Sequence, residues 1–107
     1  MDPKKLQSLY VQIVRFVDEQ QPGWVECEFT DADGRRHKIV DKLPIFTSAD
    51  LRADSAYPQA GTMPCEILGR WRDVSGKDLV RISTANPLDD VSAEGVSEFV
   101  VFADQLS

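Results

Sequence analysis

One four-residue phrase, used twice, constrains this chain more than any other feature. A run of alternating apolar and polar residues ends in Asp31-Ala32-Asp33-Gly34 and charge resumes with Arg35-Arg36; another ends in Asp73-Val74-Ser75-Gly76 and resumes with Lys77-Asp78. A D-x-x-G between two alternating segments is how a β-hairpin is written. Asp accepts backbone hydrogen bonds inside such a turn. The repeat predicts two hairpins and therefore an antiparallel, all-β architecture. It does not specify an activity.

The flanking segments read as strands on the same grounds. Trp24 to Thr30 alternates cleanly, with Val25, Cys27 and Phe29 on one face and Trp24, Glu26, Glu28 and Thr30 on the other. Arg35 to Lys42 puts His37 and Ile39 on one face and Arg36, Lys38 and Val40 on the other. Gly61 to Asp73 is the longest strand candidate. Met63, Cys65, Ile67, Gly69 and Trp71 share one face, Glu66, Leu68, Arg70 and Arg72 the other, and Gly69 marks a bulge or bend. Lys77 to Thr84 returns from the second hairpin with Val80 and Ile82 inward, and Val96 to Ala103 is the last strand.

Leu6 to Asp18 carries two signals. Leu6, Leu9, Tyr10, Ile13, Val14 and Val17 fall on a helical stripe, and Asp2-Pro3 suits a helix start. Tyr10 to Val17 is dense in β-branched and aromatic residues, which favours a strand over Leu9 to Asp18 after a short irregular or helical lead-in. Both parities are partly apolar, so cover on two sides is expected. Gln20-Gln21-Pro22-Gly23 is a turn, and Pro44 confines Leu43-Pro44-Ile45-Phe46 to an edge or a strand start. Thr47 to Ala60 is a polar connection in which Ser48 to Ala53 makes one helical turn capped by Thr47 or Ser48, and Tyr57-Pro58 forces extended structure or a turn. Ala85 to Gly95 is a second long loop, acidic at Asp89, Asp90 and Glu94.

The expected fold is a small curled antiparallel sheet closing into a barrel of six to seven strands, with a two-sheet sandwich as the alternative. A chain of 107 residues makes one domain, residues 1–107.

Composition narrows the function. Net charge is −6, which argues against a nucleic-acid binder and suits a basic protein partner. No run is apolar enough to span a bilayer, and the first residues lack the pattern of a signal peptide, so a cytoplasmic location is expected. Cys27 and Cys65 lie far apart at apolar strand positions, and His37 is the sole histidine, so neither a zinc nor a redox pair is expected and the thiols read as small buried hydrophobes.

Candidate chemistry is thin. His37 stands beside no nucleophile motif and reads as a structural or surface residue. Glu26 and Glu28 are neighbours on one strand face and face Arg36 and Lys38 on the return strand, which makes a cross-strand charge ladder simpler than acid–base chemistry. Asp31, Asp33, Asp89 and Asp90 lack the spacing of a calcium loop, and no glycine-rich phosphate loop exists. No catalytic residue, metal or cofactor is expected.

Binding residues are easier to nominate. Trp24 falls on a polar face, either as an interface anchor or as a cap folded over one end of the barrel. Arg35, Arg36, Lys38, Arg70, Arg72 and Lys77 cluster near the two hairpins and make one positive patch if the hairpins are neighbours, with Trp24 and Tyr57 available for stacking. The expected function is a non-enzymatic binding module, acting on another protein as an interaction, inhibitor or immunity-type partner. The alternative is an OB-like binder of nucleic acid or small anions. The strings Gln21-Pro22-Gly23-Trp24-Val25-Glu26-Cys27-Glu28, Asp31 to His37 and Lys42 to Phe46 resemble a group of small uncharacterised bacterial proteins of about this length. That resemblance implies a bacterial setting and assigns no site residues.

Overall fold

A computed structural model of the chain describes residues 6–86 and 88–107, and the helix start expected at Asp2-Pro3 lies outside them. Among the described residues the strands are β1 (Leu6–Asp18), β2 (Trp24–Thr30), β3 (Arg36–Lys42), β4 (Gln59–Arg72), β5 (Asp78–Ser83) and β6 (Glu98–Phe102). A four-residue helix α1 (Leu43–Phe46) follows β3, and a 3-10 turn (Ala103–Gln105) follows β6. All six strands form one antiparallel sheet in the order β3-β2-β1-β4-β5-β6, curled into a half-barrel. The barrel-like reading holds; the sandwich does not, because the described residues form one sheet and no second.

The core lies on the concave side and follows from the alternation. Leu9 and Ile13 of β1, Val25 and Cys27 of β2, Ile39 of β3, Met63 and Cys65 of β4, Val80 and Ile82 of β5 and Val101 of β6 are each 2% exposed or less. Each such side chain contributes about 1.5–3 kcal/mol relative to leaving it in water, depending on its size. Phe46 is also buried, at 2% exposure, and Leu43 at 6%, so α1 plugs one end of the half-barrel.

Several local expectations need correction. Leu6 to Ser8 are strand rather than lead-in, because β4 pairs with them from Leu6↔Glu66 to Ser8↔Pro64. The start of β1 is covered on one side only: Leu9, Val11 and Ile13 are buried, while Leu6 and Tyr10 are more than half exposed at 51% and 53%. Leu43 to Phe46 is a helical turn with Pro44 in its first turn, where a missing N–H costs nothing. Ser48 to Ala53 forms no helix; Thr47 Oγ1 accepts the Ala49 N–H at 3.0 Å and closes a local turn instead.

The largest correction concerns β4. The pairing with β5 shifts register between Ile67 and Gly69, so an extra residue, Leu68, bulges out. Ile67 pairs with Ile82 on the core face, yet beyond the bulge it is Arg70 that pairs with Val80, and Trp71 pairs with Leu79. One inserted residue flips the parity of everything after it. Trp71 therefore leaves the interior set and is 43% exposed.

Both D-x-x-G phrases are hairpin turns with the same bonds. The Gly34 N–H reaches the Asp31 carbonyl at 3.0 Å and the Gly76 N–H reaches Asp73 at 3.0 Å. Asp31 Oδ1 accepts the N–H groups of Asp33 and Arg35, both at 2.9 Å; Asp73 Oδ1 accepts those of Ser75 and Lys77 at 2.9 and 3.0 Å. The same turn appears once more, at Ser92-Ala93-Glu94-Gly95 in the β5–β6 connection. There the Gly95 N–H donates to Ser92 at 2.8 Å, and Ser92 Oγ accepts from Glu94 and Val96 at 3.3 and 3.2 Å. All three glycines have positive φ, at 82°, 86° and 81°.

Those dihedrals set a testable contrast. A Cβ at Gly34, Gly76 or Gly95 meets nothing within 4 Å, so the cost of Gly→Ala is backbone strain alone, about 1 kcal/mol at each. Gly69 also has open space around it but no positive φ. Gly69→Ala is expected to be neutral or to stabilise by up to about 1 kcal/mol. Urea unfolding of the four variants checks the difference; equal losses at all four would contradict it.

Candidate functional site

The two edge strands of the half-barrel, β3 and β6, do not pair with each other as strands. They are joined through turn residues. The Ala32 N–H, in the β2–β3 turn, donates to the Val100 carbonyl of β6 at 2.8 Å, and the Ala93 N–H, in the β5–β6 turn, donates to the Lys38 carbonyl of β3 at 2.9 Å. Each donor is the second residue of its turn. The corresponding residue of the β4–β5 turn, Val74, is fully exposed.

His37 sits on this seam. It is 8% exposed, its Nε2 lies 2.7 Å from Asp31 Oδ2, and its ring packs against Phe29 of β2 and Phe99 of β6, with centroids 5.4 and 4.6 Å away. Phe29 and Phe99 meet edge to face at 5.0 Å. The histidine is thus a buried seam residue, and the surface alternative is set aside. Burial alone would push the Asp31 carboxyl up. The hydrogen bonds from His37 and from the N–H groups of Arg35 and Asp33 outweigh it and hold Asp31 below the ordinary carboxylate range.

A second acidic pair lies nearby. Asp41 shares the inward face of β3 with His37 and Ile39 and is 9% exposed. Asp90, from the β5–β6 connection, comes against it. Cys27, on β2, is raised to about 12 by burial first and then by the charges of Asp41, Glu26 and Asp90; burial takes Cys65 to about 11. Both thiols are inert buried hydrophobes.

The nominated binding residues fall into separate groups. Trp24 is half-buried at the start of β2, with Lys42 Nζ 5.8 Å from its ring centroid. Tyr57 packs partly buried against the core and donates its hydroxyl to the Arg52 carbonyl at 2.6 Å. Glu28 faces Lys38 in register and meets Arg36 at 3.6 Å, as the ladder reading requires, whereas Glu26 is taken by Arg15 of β1 at 2.9 Å. Arg70 donates to the Gln7 side chain and Arg72 pairs with Asp78 at 3.0 Å. Lys77 Nζ stands 5.2 Å from the centre of the Phe102 ring. The two hairpins flank one strand: Ala32 touches β6 at Val100, and Lys77 touches it at Phe102.

What sequence reasoning missed lies on that same strand and its neighbours. Trp71, Leu79 and Phe102 stand directly opposite one another across β4, β5 and β6, so their side chains share one face. Val80, between Leu79 and Arg81, is buried on the other face. Arg81 and Val100 form the next rung. Arg81 makes no ion pair among the described residues. The row lies on the face away from the core, where Trp71 is exposed and Leu79 and Phe102 are half-buried. The missed signal was Gly69, whose bulge turns Trp71 outward.

A scan against protein-family models, a search of curated proteins and a search of solved structures each returned no match. The site rests on geometry alone.

Asp31 gives a pH prediction with a definite sign. Its folded value is lowered, so it contributes stability at pH values above the ordinary aspartate range, and that contribution is lost as pH falls below about 4. Asp31→Asn keeps one oxygen to accept the turn N–H groups, puts an NH2 donor in place of the oxygen that faces His37, whose ring can accept in its other tautomer, and removes the titration. It is expected to flatten the acid limb of stability against pH while staying within about 1 kcal/mol of the parent at pH 7. An unchanged acid limb in urea titrations would show that Asp31 does not carry it.

Proposed function

We propose that this protein is a non-enzymatic binding module that holds another protein on the outer face of β4, β5 and β6. The observation that carries the reading is the Trp71–Leu79–Phe102 row with Arg81 and Lys77 beside it. Tryptophan and arginine dominate the energetics of protein interfaces, and an aromatic row on a rigid ladder binds with little loss of conformational entropy. Trp71 at 43% exposed, Leu68 at 42% and the bare Val74 at the tip give this end an apolar character that the molecule does not bury itself.

The local charge refines the kind of partner. The chain as a whole carries −6, which favours encounter with a basic molecule. At the row itself Arg81, with no ion pair among the described residues, and Lys77, over the Phe102 ring, suit an acidic segment of the partner. Stacking surfaces beside cations also suit a single nucleic-acid strand, which keeps that alternative as the second reading.

The test is affinity capture from the native host with the parent and with Trp71→Ala and Arg81→Glu. A stoichiometric protein partner retained by the parent is expected to fall at least tenfold with either variant, a change of about 1.4 kcal/mol. Tyr10→Ala, far from the row on β1, should leave capture intact. Equal capture by all variants, or no partner under several growth conditions, would defeat the proposal. Amide shifts at Trp71 and Arg81 on adding oligonucleotides at low salt would favour the second reading.

A further inference from the structure

The β5–β6 connection is an arm fastened at its base and its tip. At the base, Thr84 is fully buried; its Oγ1 donates to the Asp90 carbonyl at 2.8 Å, its N–H to the Ser97 carbonyl at 2.8 Å, and its own carbonyl accepts the Asp90 N–H at 3.0 Å. At the tip, the Ser92 turn lies over β3, where the single bond from Ala93 to Lys38 holds it. Ser92, Ala93 and Glu94 of the arm and Arg36, His37 and Lys38 of β3 line the cleft between them.

Asp90, bonded to Thr84 at the base through its backbone, faces a second acid with its side chain. The Asp90 Oδ2 atom is buried and meets no donor among the described residues. Its neighbour across the interface is the Asp41 side chain, whose Oδ1 already accepts the Lys42 N–H at 2.7 Å. Two charged carboxylates in contact away from water are strongly unfavourable; one proton between them turns repulsion into a hydrogen bond and supplies the missing donor. The other charge acting on Asp90 among the described residues is again acidic, Asp89 before it on the arm, and Cys27 with Glu26 stands near the pair on β2.

We propose that the arm is a latch over the edge of β3, held shut by a proton shared between Asp90 and Asp41, and that loss of this proton lifts Ala93 from Lys38. Opening frees the backbone edge of β3, a row of groups able to accept an added strand from a partner. This surface is separate from the β4–β5–β6 row and does not rest on it. Burial first, then the hydrogen bond and charge of Asp41 and the charge of Asp89, raise Asp90 to about 8. The closed form therefore binds a proton that the open form releases at neutral pH. Closure is firmest below the ordinary aspartate range and weakens as pH rises from there to that value, with the open fraction growing up to about tenfold per unit, and the change levels off above it.

The experiment follows the Asp90 carboxyl carbon and the Ala93 amide by NMR from about pH 6 to 9.5. Both are expected to move with one midpoint near the value given above, while the Gly76 amide, in the same turn type without an arm, stays still. Asp90→Asn should leave Ala93 flat through the range, since the amide donates to Asp41 at every pH. Asp41→Asn gives the same readout if the first variant folds poorly. An Ala93 amide that does not titrate in the parent, an Asp90 carboxyl that titrates in the ordinary aspartate range, or an Ala93 titration that survives both variants overturns the proposal.

Discussion

A curled antiparallel sheet that stops short of closure leaves two rows of unpaired backbone groups facing one another, and everything distinctive about this molecule depends on how that gap is spanned. A ladder between β3 and β6 is not formed. One N–H from each flanking turn crosses instead, Ala32 to Val100 and Ala93 to Lys38. The turn suits this use because its first residue occupies the internal donors with its own side chain and leaves the second residue's N–H pointing outward. In the β4–β5 turn, which has no edge to reach, the second residue is a valine in open solvent. The same local chemistry thus makes a seam in two places and a free tip in the third.

Spanning the gap with turns has a cost in polar burial. Strand alternation places His37, Ile39 and Asp41 on one face of β3, and the arrival of β6 and its arm covers that face. His37 is satisfied on one side by Asp31 and packs against Phe29 and Phe99, while its Nδ1 is buried and meets no partner among the described residues. Asp41 meets another acid. A fully apolar seam would be cheaper to bury. What the polar seam adds is register: Asp31 serves both its own turn and His37, so the turn and the edge strand are positioned by one carboxylate.

The parts of this fold that were legible in the sequence are those set by neighbours in the chain. Alternation and the D-x-x-G phrases place β2, β3, β4 and β5, and the inward face of β2 is as read. The third turn escaped because serine replaces aspartate in it, although Ser92 Oγ makes the equivalent bonds. Trp71 was misplaced for a different reason. Gly69 announces a bulge, but parity was carried straight through it, and one residue reverses a face. Asp41 is inward by simple counting from Ile39. Its significance depends on Asp90, which arrives from far along the chain, and no local pattern encodes that meeting.

The position of the aromatic row then follows from the ladder of β4 with β5. β4 is 14 residues long, and among the described residues its ladder with β1 is seen as far as Glu66, while its ladder with β5 runs on to Arg72. A two-stranded ribbon is marginal in water on its own. Here Phe102 extends it to a third strand at Leu79, and the bulge directs Trp71 to the same face as both. The row cannot be covered by the concave core, whose side chains lie on the other face at Val80 and Val101. An apolar row on the face away from the core, with Trp71 43% exposed, leaves surface for a partner to bury, which is why the row, rather than the seam or the half-barrel interior, is the place where this protein meets its partner in the reading proposed above.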